Sequence, residues 1–456
     1  MTNLTRKNQK VFASSAVNNG QFGSLQATTK VISNDVETLQ ALAAYESGWN
    51  DAVVSGEQLP SLEEFQALNY INTYQTAYLL QKGFPEWSTN ATYYIGDLTR
   101  ETGGSKIYKS ITDGNTGNAL TDVTNWQLKL DIDNVTVENN IIINGDMEIS
   151  QRGTSFASIV GGVYCLDRYQ YTATGSMVHD VMQETDAPTF AQAGRLIQNS
   201  LKVDCTTADA SIAAGDSTAI LQKIEGYNFL EIAQKSFTLG FWVKATKTGV
   251  YCIGFRNTGN DRSYVSEYTV NTTDTWEFKT ITVTASPSAG TWNYTNGIGL
   301  NVTWTLAAGS TFQTTADAWQ TGNFFATSNQ VNACDSTSNN FQITGVQIVK
   351  GAVDTEFKRR SFGEELALCE RYFELLDIES ASMYSSASGA LWNAGHINFK
   401  TEKRVTPSAT AQNIFYNNCS LLTLATINKS SVTARVTTSG ATIYRVAFEA
   451  FVDAEL

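Results

Sequence analysis

Between residues 237 and 349 the chain alternates apolar and polar residues with a period of two in five separate segments. These are Phe237–Val243, Val250–Phe255, Phe278–Val283, Leu300–Leu306 and Phe341–Val349. Period-two alternation puts every second side chain on one face of a strand, which no helix satisfies. Strands of six to nine residues separated by turns rich in Gly, Ser and Asn predict a β-sandwich, and a jelly roll in particular. Residues 280–349 contain no Lys or Arg, and their only acids are Asp317 and Asp335.

The chain has 456 residues, and roughly 150 residues per domain implies about three domains. Hydrophobic residues make up 42 %, enough for a buried core and too many for a wholly disordered chain. No apolar run approaches the ~18 residues of a membrane helix, so no membrane insertion is expected. Met1–Lys10 is basic but has no apolar stretch behind it, so no secretory leader is expected. Charged residues reach only 16 % and aromatics 11 %. Low charge, many small polar residues and many aromatics suit an extracellular β-rich binding protein better than a cytosolic enzyme. The net charge of -13 makes nucleic acid a poor partner, because affinity for phosphate comes from Lys and Arg. The first thirty residues oppose this balance: Arg6, Lys7, Lys10 and Lys30 stand there without an acid, +4 against -17 for the remainder. That asymmetry marks the N-terminus as a separate unit.

The six cysteines (Cys165, Cys205, Cys252, Cys334, Cys369 and Cys419) lie more than thirty positions apart and form no CxxC. They read as buried free thiols made in a reducing compartment. His179 and His396 are the only histidines, too few for an ordinary zinc site, and no GxSxG elbow accompanies them. No catalytic residue, metal ligand or cofactor is therefore assigned.

The order of segments is informative. Residues 1–34 read as an extended arm whose apolar anchors, Phe12, Phe22 and Leu25, cannot bury one another and order only against a partner. Residues 35–84 read as two helices. Asn34 and Glu37 have capping-box spacing ahead of Val36, Leu39, Leu42, Trp49 and Val53. Pro60-Ser61-Leu-Glu-Glu64 opens a second helix of about twenty residues that Gly83-Phe-Pro85 closes. Its apolar stripe is Leu62, Phe65, Leu68, Ile71, Tyr74, Tyr78 and Leu79. The stripe serves either an intramolecular hairpin or self-association around an axis. Residues 85–130 read as a small aromatic β module with Trp87, Tyr94 and Trp126 as its mini-core, and Asp131–Glu138 as an acidic connector that begins a strand. Residues 131–360 carry the jelly roll. In 361–456, Ser361 and Glu364 cap a single helix before short strands resume to form a C-terminal β tip.

Several phrases carry a resemblance. Asn144-Gly-Asp-Met-Glu-Ile-Ser-Gln-Arg-Gly-Thr-Ser155, with Asp167-Arg168-Tyr169, resembles the opening of the carbohydrate-binding-like jelly roll of bacteriophage tail fibres. Thr344–Gly351, Phe357 and Arg360-Ser-Phe-Gly-Glu-Glu-Leu-Ala-Leu-Cys-Glu-Arg-Tyr-Phe373 resemble its closing segment, and Asp453–Leu456 its usual ending. The arm, with Val11–Ser14 and Phe22–Ser24, is similar to the virion-attachment leader of short-tailed phage fibres. Trp87, Tyr93-x-x-Gly96-Asp97, Tyr108 and Trp126 resemble small chitin-binding-type modules. The resemblance implies a homotrimeric structural fibre on the virion. Its arm would dock on another virion protein (portal, tail or capsid), and its distal β domains would bind host surface polysaccharide. A head fibre or decoration protein is the alternative within the same resemblance.

Sugar recognition sets aromatic faces against C–H groups and amides or carboxylates against hydroxyls. Trp292, Tyr294 and Trp319 lie in Gly/Thr/Asn-rich loops and are the glycan-binding candidates, while Trp304 sits in a strand and belongs to the core. The same loop aromatics would equally cap the sandwich ends or fill a subunit interface. Capsule depolymerisation is the competing class, but its usual long β-helix repeat is absent. Glu364 and Glu365 sit at a helix start, where acids suit the dipole. Asp167 and Arg168 read as an internal ion pair rather than a catalytic set.

Overall fold

The computed structural model describes residues 33, 35–41, 45, 62–131, 140–351, 357–385, 389, 391–440 and 442–456. The arm, with Phe12, Phe22 and Leu25, lies outside the described residues, as do Leu42, Trp49 and Val53. The chain divides into two compact units, Met1–Thr136 and Val137–Leu456.

In the first unit α1 (Val36–Gln40) is capped by Asp35, whose carboxylate accepts from the Thr38 N–H at 2.9 Å. The cap is thus Asp35 and not the expected Asn34–Glu37 box. Helix α2 (Leu62–Lys82) ends where expected, at Gly83 in the left-handed region with φ +81°. Its buried face shares Ile71 with the expected stripe and otherwise differs from it. Ala67, Tyr70 and Ile71 pack against Val36 and Leu39, whereas Leu62 is 84 % exposed and Phe65 and Leu79 are about half exposed. Ala67 lets α1 approach closely, and apolar spacing alone does not choose between two adjoining faces of one helix.

Strands β1 (Thr92–Tyr93), β2 (Leu98–Arg100), β3 (Lys106–Ser110), β4 (Asn115–Thr116) and β5 (Trp126–Asp131) build the small module as an antiparallel sheet β2-β3-β5 beside the pair β1-β4. Tyr93 and Trp126 meet edge-on at 4.9 Å and form its core. Trp87 is half-buried and Tyr94 is exposed, because neighbouring residues of an extended chain face opposite ways. Asp131 closes β5 instead of opening a connector, and 132–139 lie outside the described residues.

The second unit is mainly β. Its strands are β6 (Ser155–Ile159), β7 (Val163–Tyr164), β8 (Tyr169–Thr174), β9 (Val178–Glu184), β10 (Ser200–Thr207), β11 (Ser217–Glu225), β12 (Phe237–Ala245), β13 (Gly249–Arg256), β14 (Ser263–Val270), β15 (Glu277–Val283), β16 (Ile298–Ala308), β17 (Trp319–Gln320) and β18 (Asn340–Lys350). Short helical turns α3 (Phe190–Ala193) and α4 (Gly226–Phe229) interrupt them. One sheet runs β15-β12-β18-β10-β9-β6 and the other β17-β14-β13-β16-β11-β8-β7. Within these, β10-β18-β12-β15 faces β11-β16-β13-β14, the two-Greek-key order of a jelly roll. Trp304, Phe237, Phe241, Phe255 and Phe341 fill the space between the sheets.

The seven-stranded sheet is also covered outside. Phe325 and Ala326, in the connection between β16 and β18, pack on Cys252 and Val265, and Thr305 Oγ1 donates to the Phe325 carbonyl at 2.6 Å. Gly254 makes this possible: a Cβ there would stand 2.4 Å from the Cβ of Phe325. Burial on both faces matches the absence of Lys and Arg between 280 and 349.

Helix α5 (Phe362–Glu370) carries the expected Ser361–Glu364 capping box. Beyond it β19 (Phe373–Ser385), β20 (Leu391–Asn398), β21 (Ser408–Asn417), β22 (Cys419–Ala425), β23 (Ser431–Thr438) and β24 (Thr442–Asp453) form two three-stranded sheets, β19-β24-β21 and β20-β23-β22, around Val432, Val436, Tyr444 and Phe448. Asp167 and Arg168 do not pair with each other. Arg168 is buried against the Tyr372 ring and ion-pairs with Glu455, while Asp167 accepts from the Gln151 backbone and side-chain N–H groups at 2.7 Å. Glu365 holds Arg360, a role beyond the helix dipole. All six cysteines are free and buried.

His179 on β9 is buried, with Nδ1 2.6 Å from the Tyr171 hydroxyl and no hydrogen-bond partner for Nε2 among the described residues. Burial pushes its pKa down to about 4. Above pH 6.5 the ring is neutral folded or unfolded and contributes no pH dependence. As pH falls from 6.5 to about 4, only the unfolded chain takes up the proton, so stability should fall by up to about 3 kcal/mol. Urea midpoints measured across this window should drop in the native protein. The His179 part of that drop should vanish in His179→Gln, and an unchanged pH profile in that variant would refute the assignment.

Candidate functional site

Three loops meet at one end of the sandwich: 257–262 between β13 and β14, 284–297 between β15 and β16, and 317–324 around β17. Asp261 joins them. Its carboxylate accepts from the Thr291 N–H at 3.1 Å and the Thr291 hydroxyl at 2.9 Å, and its carbonyl accepts from the Gly322 N–H at 3.2 Å. The Asn257 amide and these Thr291 groups hold the Asp261 carboxyl below the usual range. Gly290, at φ +106°, turns the second loop beneath Arg262, whose Cγ would lie 2.6 Å from any Cβ. Asn293 Oδ1 accepts from the N–H groups of Thr295 and Gly297 and so folds the segment that presents Tyr294.

On this frame the three sequence candidates come together. Trp292 stacks on buried Phe229 of α4 at 5.2 Å and 11°, and Tyr294 stacks on the same ring at 6.1 Å and 9°. Trp319 meets Trp292 edge-on at 5.7 Å and leans on Tyr264 at 5.6 Å. The indole N–H of Trp292 donates to the Ala289 carbonyl and that of Trp319 to the Thr284 carbonyl, both at 3.0 Å. Both indoles thus spend their polar atom on the frame, and what each offers a ligand is ring surface. All three aromatics are half-buried: they close the end of the core and keep part of their area in solvent. Sequence reading missed Phe229 and Tyr264, which support them. Phe229 lies in Gly226-Tyr-Asn-Phe229, a turn with no periodicity, and nothing in the sequence places it beneath a loop some sixty residues away.

A cleft of about 770 Å³ is lined by Tyr227, Glu231, Arg359, Arg360, Glu364 and Arg371, among others. Its arginines are engaged within the fold, Arg359 by Glu148, Arg360 by Glu365 and Arg371 by Glu225. Among the described residues no group of three or more His, Cys, Asp or Glu could hold a metal ion, and no helix is long and apolar enough to cross a membrane.

No family model matches the sequence. No curated protein matches it either. Among solved structures, the chain is similar to the enzymatically active domain of tailspike protein 4 of bacteriophage CBA120, at 14 % identity over 46 % of this chain with a TM-score of 0.25; the match spans 21 % of that tailspike chain. A putative sugar-binding protein from Bacteroides thetaiotaomicron matches 47 % of this chain and all of its own, at 10 % identity and a TM-score of 0.29. A xylan-binding domain from Paenibacillus barcinonensis matches 48 % of this chain and 99 % of its own, at 12 % identity and a TM-score of 0.22.

Proposed function

We propose that the protein is a structural fibre of a bacteriophage virion that binds host surface glycan through the end loops of its jelly roll. The observation that carries this reading is the convergence of Trp292, Tyr294 and Trp319 on one loop frame, with the two indole N–H groups engaged and ring area left in solvent. Partly exposed aromatic faces beside Asn and Thr side chains match the amphipathic surface of a pyranose. The basic, acid-free arm 1–34, through Phe12, Phe22 and Leu25, is proposed to hold another virion protein. Residues 35–84 are proposed as the trimerisation stalk, since α2 keeps Leu62 and Leu79 in solvent after packing on α1. The role is binding rather than catalysis.

One experiment tests the reading: intact mass, followed by binding of the full chain to polysaccharides from host cell surfaces. The expected result is a mass of three chains, with avidity supplied by three linked sites. Trp319→Ala should weaken binding at least 10-fold, about 1.4 kcal/mol, in a protein that still folds. A folded Trp319→Ala protein that binds as well as the native one would reduce these aromatics to packing.

A further inference from the structure

The register of the seven-stranded sheet lines up Lys223, Asn301, Arg256, Ser263 and Gln320 as successive partners across β11, β16, β13, β14 and β17. At about 4.8 Å between strands the row is ~19 Å long. The residues flanking it along the strands, Leu300, Val302, Phe255 and Tyr264, point into the core, so the row faces outward. Its last member, Gln320, follows Trp319, and the row therefore continues from the aromatic cluster onto the outer face of the sheet.

The row is rich in donors, and Gln320 Nε2 donates to Thr315 Oγ1 at 3.2 Å. Asn301 is 7 % exposed. Among the described residues, Ser263 Oγ and Arg256 Nε are buried without a hydrogen-bond partner. Arg256 donates Nη1 to Asn323 Oδ1 at 2.7 Å and Nη2 to Thr303 Oγ1 at 3.2 Å, and it lies 4.7 Å from the Phe325 ring centre. No described carboxylate forms an ion pair with it. Burial without a counter-ion pushes its pKa down to about 10. Lys223 stands at the far end, with Nζ donating to the Leu456 carbonyl at 2.6 Å and 5.6 Å from the Tyr164 ring centre. A largely buried guanidinium without an ion-pair partner among the described residues is unfavourable unless an acceptor joins it.

We propose that this row binds the carboxylate of an acidic sugar, so that the glycan taken at Trp292 and Trp319 is a uronate-bearing polysaccharide. The inference rests on the glycan-binding reading above. A carboxylate accepts from the second N–H of each Arg256 Nη and from the Asn301 amide. The local cations also offset the repulsion between an acidic polymer and a chain of net charge -13.

The test uses the full chain and uronate-bearing capsular polysaccharides, each paired with its carboxyl-reduced, neutral counterpart. The native polymer should bind at least 10-fold tighter than the reduced one, with the difference shrinking as salt rises. Arg256→Gln and Asn301→Asp should each lower binding of the acidic polymer to the level of the reduced one and leave the reduced polymer unaffected. Asn301→Asp supplies the test should Arg256→Gln unfold, and thermal melting monitors both. Equal binding of native and reduced polymers overturns the proposal while leaving the glycan reading in place, as does an Asn301→Asp protein that still prefers the acid. Inorganic phosphate that displaces the polymer at millimolar concentration would make the row a general anion site and overturn the sugar assignment. Failure of both polymers to bind overturns the glycan reading together with this one.

Discussion

Phe229→Ala should destabilise the second unit by about 3–5 kcal/mol and abolish glycan binding together. Phe229 is fully buried, and it is the ring on which both Trp292 and Tyr294 stack. Removing it deletes a large apolar side chain and leaves a cavity directly under the loop aromatics. Trp292 would then fall inward, and Trp319 would lose its edge contact with it. Urea unfolding gives the stability change, and titration with a bound polysaccharide gives the affinity. The comparison with Trp319→Ala is diagnostic, because that variant removes ring surface from the site while leaving Phe229 covered. A Phe229→Ala protein that loses less than about 1 kcal/mol and binds normally would show that the stack neither supports the loops nor shapes the site.

The second large effect concerns the joint between α5 and the C-terminal sheets. Lys403 and Glu374 form an ion pair in which both side chains are fully buried. The Lys403 ammonium also donates to the carbonyls of Glu370 and Thr401, while Glu374 accepts from the Lys400 N–H. Burial holds the Lys403 pKa below its usual value, with Glu374 opposing the shift. Lys403→Met would leave a buried carboxylate without its cation and should cost about 3–5 kcal/mol. Replacing both partners, as in Lys403→Met with Glu374→Leu, removes the stranded charge and should recover most of that loss. Urea midpoints of the native protein, the two single variants and the double variant complete the cycle. Additive losses would mean that the pair contributes nothing as a pair.

Much of the architecture was legible because it depends on local rules. Alternation at Phe237–Val243 and Phe341–Val349 identifies strands whatever they pair with, and β12 and β18 are the strands that form there. Ser361 and Glu364 close a capping box within four residues, so the start of α5 could be read directly. Gly83 ends α2 for the same reason. Readings that required a choice between adjoining groups fared worse. The N-cap falls on Asp35 instead of Asn34, the packed face of α2 adds Ala67 and Tyr70 to the expected Ile71, and the aromatic core of the small module takes Tyr93 and leaves Tyr94 outside. In each case one residue or one helix face separates the expectation from the structure, and the deciding term is contact with a distant segment.

The sequence by itself therefore determined the class of the protein: a mainly β chain with a helical region ahead of it, a sandwich with little charge, six free thiols and aromatic loops. These follow from periodicity, turn chemistry and composition, which act over a few residues. Tertiary structure alone decided that β16 is buried on both faces, that Arg168 meets Glu455, and that Phe229 lies beneath Trp292. It also placed Lys223, Asn301 and Arg256 in one row. Residues 223, 256 and 301 belong to three strands, and only the register of those strands makes them neighbours. Register is set by the summed burial of whole strands, a sum over partners that no local window of sequence contains.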